Sequence, residues 1–99
     1  MGPWMVPADA LSDVQNVALQ LSVNGETKQD SSTGQMIYSV AEQIARASEL
    51  MTLDPGDVVL TGTPAGVGAP RGTFLNPGDK IDAEIAGIGT LSVEIKPPL

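Results

Sequence analysis

Cysteine and histidine are both missing from this 99-residue chain. Without cysteine there is no disulfide and no thiolate chemistry, and the redox compartment stays open. Without histidine there is no Ser-His-Asp triad, no imidazole base and no histidine-containing zinc site within the chain. Aromatic residues are scarce, with one Trp, one Tyr and one Phe. A core must therefore come from Val, Ile, Leu, Ala and Met. Five basic residues stand against twelve acidic ones, a formal charge of −7. Lys28, Arg46, Arg71, Lys80 and Lys96 are scattered along the chain. They do not form the clustered cations that nucleic acid or an anionic membrane surface requires as a partner. The acidic residues are equally dispersed and read as a solvated surface. No apolar run reaches membrane length and no signal-peptide pattern appears, so the expected location is cytoplasmic.

What is present suits one unit, residues 1–99, with modest stability. Met1 to Ser12 has no periodicity and reads as an extended opening segment, with Trp4 capping one side of the core. Val17, Leu19, Leu21 and Val23 alternate with polar or small residues, the period-two signal of a half-buried strand over Val17 to Val23. Asn24-Gly25 is a strong hairpin signal, because both residues tolerate the left-handed conformation of a type I′ turn. Glu26 to Asp30 then returns as a polar strand, and Ser31 to Gln35 is a loop. Ser39-Val40-Ala41-Glu42 is a capping box that opens the one main helix, ending near Met51. Its apolar face carries Val40, Ala41, Ile44, Ala47 or Ser48, and Met51, a stripe expected to pack on the core. Leu53-Asp54-Pro55-Gly56-Asp57 is echoed by Leu75-Asn76-Pro77-Gly78-Asp79, each expected to launch a strand: Val58 to Leu60 and Lys80 to Ile85. Ala86-Gly87-Ile88-Gly89 turns the latter into Leu91 to Ile95. The expected class is α+β, a mostly antiparallel sheet or roll of about six strands with one main helix.

The stretch from Asp57 to Gly68 draws the most chemical interest. Val58, Val59 and Leu60 form a short β-favouring run, after which Gly62, Gly66 and Gly68 allow the backbone to approach a ligand or another strand. Thr61 and Thr63 add hydroxyls that donate and accept. Such a loop suits a small polar ligand, and it also suits a tight connection whose threonines bond nearby backbone. A phosphate cradle does not fit: the Walker A lysine is missing, and Arg71 stands where the dinucleotide fingerprint needs glycine. Asp54 with Asp57, and Asp82 with Glu84, could each meet a cation only weakly. A hard divalent ion needs several convergent oxygens, so no metal ligand and no catalytic residue is assigned within the chain. Ala65 to Asn76 is long enough for a functional or mobile loop.

Thr61-Gly62-Thr63-Pro64, followed by Gly66-Val67-Gly68 and preceded by Leu53-x-Pro55-Gly56-Asp57, resembles the signature of the fumarylacetoacetate hydrolase family. Gly2-Pro3-Trp4, Val23-Asn24-Gly25-Glu26, Gln29, Thr33, Met36-Ile37 and Gly78-Asp79 fall in the order and spacing of that family's C-terminal portion. The resemblance implies the C-terminal part of a catalytic domain whose upstream half is not in this chain. It implies action on 1,3-dioxo or 2-hydroxy-diene acids by C–C hydrolysis, decarboxylation or isomerisation. It also implies a divalent metal (Mg2+, Mn2+ or Ca2+) held in the complete enzyme by upstream acidic motifs, with none expected on this chain alone. Thr61, Gly62 and Thr63 then contact a small oxo-acid substrate. Thr61 reaches its chelating end, and Thr63 either shares that contact or rigidifies the turn. Gln29, Thr33 and Met36 shape the pocket mouth. Unpaired strand edges imply association, as a homodimer or larger. A fragment acting only as a structural or oligomerisation module is the alternative.

Overall fold

The computed structural model describes residues 2–99. Strand β1 (Ala18–Val23) turns at Asn24-Gly25 into β2 (Glu26–Ser32), and β3 (Lys80–Ile85) turns into β4 (Gly89–Glu94). All pairings are antiparallel, in the order β2-β1-β3-β4. The first hairpin has the expected geometry, with Asn24 at φ 52° and Gly25 at φ 82°. Helix α1 (Val40–Leu50) starts at Ser39, and both bonds of the capping box are made.

The period-two pattern sorts the sheet into two faces. Leu21 pairs with Ala83 and Val23 with Ile81, while Gln20 pairs with Glu84 and Ser22 with Asp82. Facing partners share a side, so one face is aliphatic and the other polar. The alternation breaks once. Leu21 pairs with Gln29 but Ser22 pairs with Thr27, which leaves Lys28 as an extra residue on β2. This is a β-bulge, and it turns two consecutive side chains, Lys28 and Gln29, toward the aliphatic side.

Two cross-links hold the sheet's ends. Asn24 donates its side-chain amide to Asp79 at 2.9 Å and accepts from the Lys80 amide at 2.9 Å. Its own backbone N–H reaches the Lys80 carbonyl at 2.8 Å. At the opposite end the Trp4 indole N–H donates to the Ile88 carbonyl at 2.6 Å. The ring lies so close that a Cβ on Gly89 would sit 2.5 Å from it. Trp4 thus covers the β3–β4 turn.

Asp79 also accepts from the Asn76 amide at 2.8 Å. That backbone bond, helped by Asn24 and opposed by desolvation, holds its carboxyl below the ordinary carboxylate pKa. A depressed carboxylate contributes stability above its unfolded pKa and loses it as pH falls through that value toward the lowered one. The chain should therefore lose stability below about pH 4, and Asp79→Asn should flatten that loss. Thermal melts of both proteins at neutral and acid pH check this. Parallel curves would show that Asp79 does not carry the acid response.

Three expectations are corrected. The sheet has four strands among the described residues, not about six. Val58 to Leu60 is extended but joins no ladder, and Val58 and Leu60 are 59% and 92% exposed. A β-favouring run becomes a strand only when another backbone satisfies its N–H and C=O groups, and none among the described residues pairs with this one. The apolar stripe of α1 does not pack on a core either. The helix has no buried residue, and Leu50 is 85% exposed.

The reason is visible in the shape. Only Val17 is a buried hydrophobic residue among those described, at 7% exposure. The radius of gyration is 15.4 Å, against about 13 Å for a compact domain of this length. The accessible surface is 7615 Å², where a compact monomer of this mass exposes roughly 5,300 Å². The sheet, the helix and the 58–60 run thus present aliphatic surface that the chain does not cover by itself.

Candidate functional site

The glycine-rich loop returns to the aliphatic face of the sheet and closes one wall of a groove of about 790 Å³. Leu21, Val23 and Ile81 form its floor, Lys28 and Gln29 enter from the bulge, and Thr63, Gly66, Arg71 and Phe74 form the opposite wall. The loop docks there by two contacts. Gln29 donates from Nε2 to Thr63 Oγ1 at 2.8 Å and to the Pro64 carbonyl at 2.9 Å. Gly66, at φ 114°, passes so close to β2 that a Cβ would meet the Lys28 carbonyl oxygen inside any real contact distance. Farther along, the carbonyl of Gly68 accepts from Arg71 and Thr73 at 3.0 Å each, folding residues 69–71 into a 3-10 turn.

The three candidate substrate contacts separate in this geometry. Thr63 lines the groove and is tied to Gln29. Thr61 and Gly62 are exposed and lie outside the groove lining. None of the side-chain hydrogen bonds among the described residues occupies the Thr61 hydroxyl. Gly62, at φ 101°, takes a conformation outside the strand region between the two threonines. The strand alternation that would align both hydroxyls on one side is therefore interrupted.

Of the pocket-mouth residues, Gln29 is at the groove, whereas Thr33 and Met36 are not among its lining residues. Thr33 accepts from the Val17 amide at 2.9 Å through Oγ1 and donates its own amide to the Val17 carbonyl at 2.9 Å. Met36 Sδ accepts from Gln15 at 3.4 Å. Gln15 also reaches the Thr33 carbonyl at 2.6 Å and accepts from the Val40 amide at 2.9 Å. It joins β2's exit to the start of α1, a role that no local pattern signals.

The groove is polar at its rim. Lys28 pairs with Glu26 at 3.1 Å, both lining it, and the pair is open enough to contribute little to stability. No group of three or more Asp or Glu side chains converges among the described residues. Asp57 is occupied by the Asp54 amide at 2.8 Å, and Asp82 accepts from the Ser92 hydroxyl. No helix among the described residues is long and apolar enough to cross a membrane.

The fold agrees with the family that the sequence resembles. The sequence model described as fumarylacetoacetate (FAA) hydrolase C-terminal matches residues 1–96. The chain belongs to that family. It is 46% identical to an uncharacterised protein of Staphylococcus epidermidis over 99 aligned residues, covering 96% of this chain and 32% of that protein. Among solved structures it is similar to the fumarylacetoacetate hydrolase of Exiguobacterium antarcticum. That match has a TM-score of 0.91 and 42% identity, and covers 98% of this chain and 35% of the other. It is also similar to a fumarylpyruvate hydrolase from Pseudomonas aeruginosa, solved with Mn2+ and pyruvate. There the TM-score is 0.83 and the identity 37%, with 93% of this chain and 37% of the other covered. The chain thus spans about a third of the length of the relatives it matches.

Proposed function

We propose that this chain is the substrate-orienting portion of a metal-dependent FAA hydrolase-type enzyme acting on 1,3-dioxo or 2-hydroxy-diene acids. The reaction is C–C hydrolysis, decarboxylation or isomerisation. The observation that carries this reading is the loop clamped by Gln29 beside a groove open to small molecules. Support comes from the structural relatives, one of them a fumarylpyruvate hydrolase holding pyruvate. Thr63 serves as a donor to the carboxylate or keto oxygens of the substrate from the groove wall, and Thr61 and Gly62, outside the groove lining, serve a part of the substrate that extends past it. A hydroxyl and an amide aimed at developing oxyanion charge lower the barrier without reorganising. The aliphatic floor suits the carbon chain of such a ligand and leaves its polar end at the loop.

The side chains of this chain do not fit a metal site, because no three carboxylates converge among the described residues. The divalent ion proposed for the complete enzyme, Mg2+, Mn2+ or Ca2+, is therefore assigned to residues outside this chain. Calorimetry of the chain with Mg2+ or Mn2+ should show no site tighter than roughly millimolar. A micromolar site would overturn the assignment. Acylpyruvate cleavage assayed with and without Mg2+ tests the enzymatic reading. Metal-dependent turnover by the complete enzyme supports it, and its absence leaves the structural module as the better description.

We also propose a homodimer or a larger assembly for this chain in isolation. Its surface exceeds that of a compact monomer by roughly 2,300 Å². A standard dimer covers only about 800 Å² per partner, so the surplus surface, of which the aliphatic faces are a part, is ample for one. Light scattering should report at least a dimer, and a clean monomer at high concentration would sink the proposal.

A further inference from the structure

Gln29 is the buried polar residue among those described, at 9% exposure, and the bulge at Lys28 is what brings it to the groove side of β2. Its amide orientation follows from chemistry. The Pro64 carbonyl can only accept, so the group facing it is the NH2, which has two protons for its two acceptors. Thr63 Oγ1 therefore accepts the second proton. A hydroxyl that accepts in this way keeps its own proton to donate elsewhere. Thr63 lines the groove, where a ligand would sit.

We infer that Gln29 is a positioning residue that sets the Thr63 hydroxyl as a donor toward an anionic oxygen in the groove. The inference rests on the proposal that Thr63 touches substrate. Gln29 itself need not touch it. A donor feeding a hydroxyl also polarises that hydroxyl, so the outer bond strengthens as charge grows on the acceptor. This arrangement favours carboxylate and enolate oxygens over ligand groups that donate. A purely structural Gln29 would only close the loop.

Kinetics of the complete enzyme with an acylpyruvate separate the two roles. Four variants are needed: Gln29→Met, Gln29→Glu, Thr63→Val and the Gln29→Met/Thr63→Val double. Gln29→Met should lower kcat roughly 10-fold, the order of one net hydrogen bond, and this loss should vanish in the Thr63→Val background. Gln29→Glu should lose more than Gln29→Met at neutral pH, because a carboxylate accepts and turns the Thr63 proton toward itself. It should recover in part as pH falls and the new carboxyl becomes a donor. If the Gln29→Met loss persists undiminished in the double variant, or if Gln29→Glu is fully active at neutral pH, the positioning role is overturned while the Thr63 contact stands. If Thr63→Val alone leaves kcat and KM unchanged, the substrate contact itself falls, and the positioning role falls with it.

Discussion

Gly66→Ala is expected to detach the glycine-rich loop from β2. Two costs combine. The backbone at Gly66 has φ 114°, where a residue with a Cβ is strained by about 1–3 kcal/mol. The new methyl would also lie against the backbone carbonyl of Lys28, and neither a rotamer change nor a flexible side chain can relieve that contact. Overpacking of this kind costs about 1–3 kcal/mol. The sum is a large share of the stability of a small domain. The loop can escape by lifting away, which breaks both Gln29 bonds and opens the groove. Gly62→Ala supplies the comparison, since its φ is 101° but nothing lies within 4 Å of the added Cβ. Gly66→Ala should therefore lower the melting temperature clearly more than Gly62→Ala. It should also speed hydrogen exchange at the bulge around Lys28. Equal effects from both variants would mean that the loop does not dock on β2 as described.

Thr61→Val in the complete enzyme should slow turnover while sparing the fold. Valine keeps the shape and β-preference of threonine and removes only the hydroxyl, which no protein hydrogen bond among the described residues uses. Losing one bond to a charged oxygen costs about 1.5–3 kcal/mol. If it serves mainly the transition state, kcat falls on the order of 10- to 100-fold. If it serves substrate and transition state alike, KM rises while kcat holds. Thr63→Val differs in kind, because it also leaves one Gln29 proton without its partner and should lower the melting temperature as well. A Thr61→Val enzyme with unchanged kinetics would move the contact to Thr63 and the neighbouring amides.

Much of the fold was legible because its signals act over a few residues. Asn24-Gly25 makes its hairpin through φ preferences alone, and Ser39 with Glu42 caps α1 through bonds three residues apart. The candidate loop was legible as a motif. Its clamp was not, since Gln29 and Thr63 are 34 residues apart and meet only because a bulge re-aims β2. A single-residue slip in pairing leaves no periodic trace in a strand as polar as Glu-Thr-Lys-Gln-Asp-Ser-Ser.

The two proline-glycine-aspartate turns show where sequence ends and tertiary structure begins. Both fold alike. Asp57 accepts from the Asp54 amide and Asp79 from the Asn76 amide, each at 2.8 Å. The amide of Asp57 returns to the Asp54 carbonyl at 3.0 Å, and that of Asp79 to the Asn76 carbonyl at 3.1 Å. Gly56 and Gly78 take φ 98° and 93°. Sequence determined the shape of both turns, because the bonds they share lie within four residues, whereas the bonds of Gly78 to Ile95 and of Asp79 to Asn24 are made at the second turn by distant partners. After Asp79 the chain meets β1 and β4 on either side and becomes β3. After Asp57 the more strongly β-favouring Val58, Val59 and Leu60 pair with no backbone among the described residues and remain exposed. Only the tertiary structure decided that difference, because a strand exists through the hydrogen bonds of its neighbour, which a local propensity cannot supply.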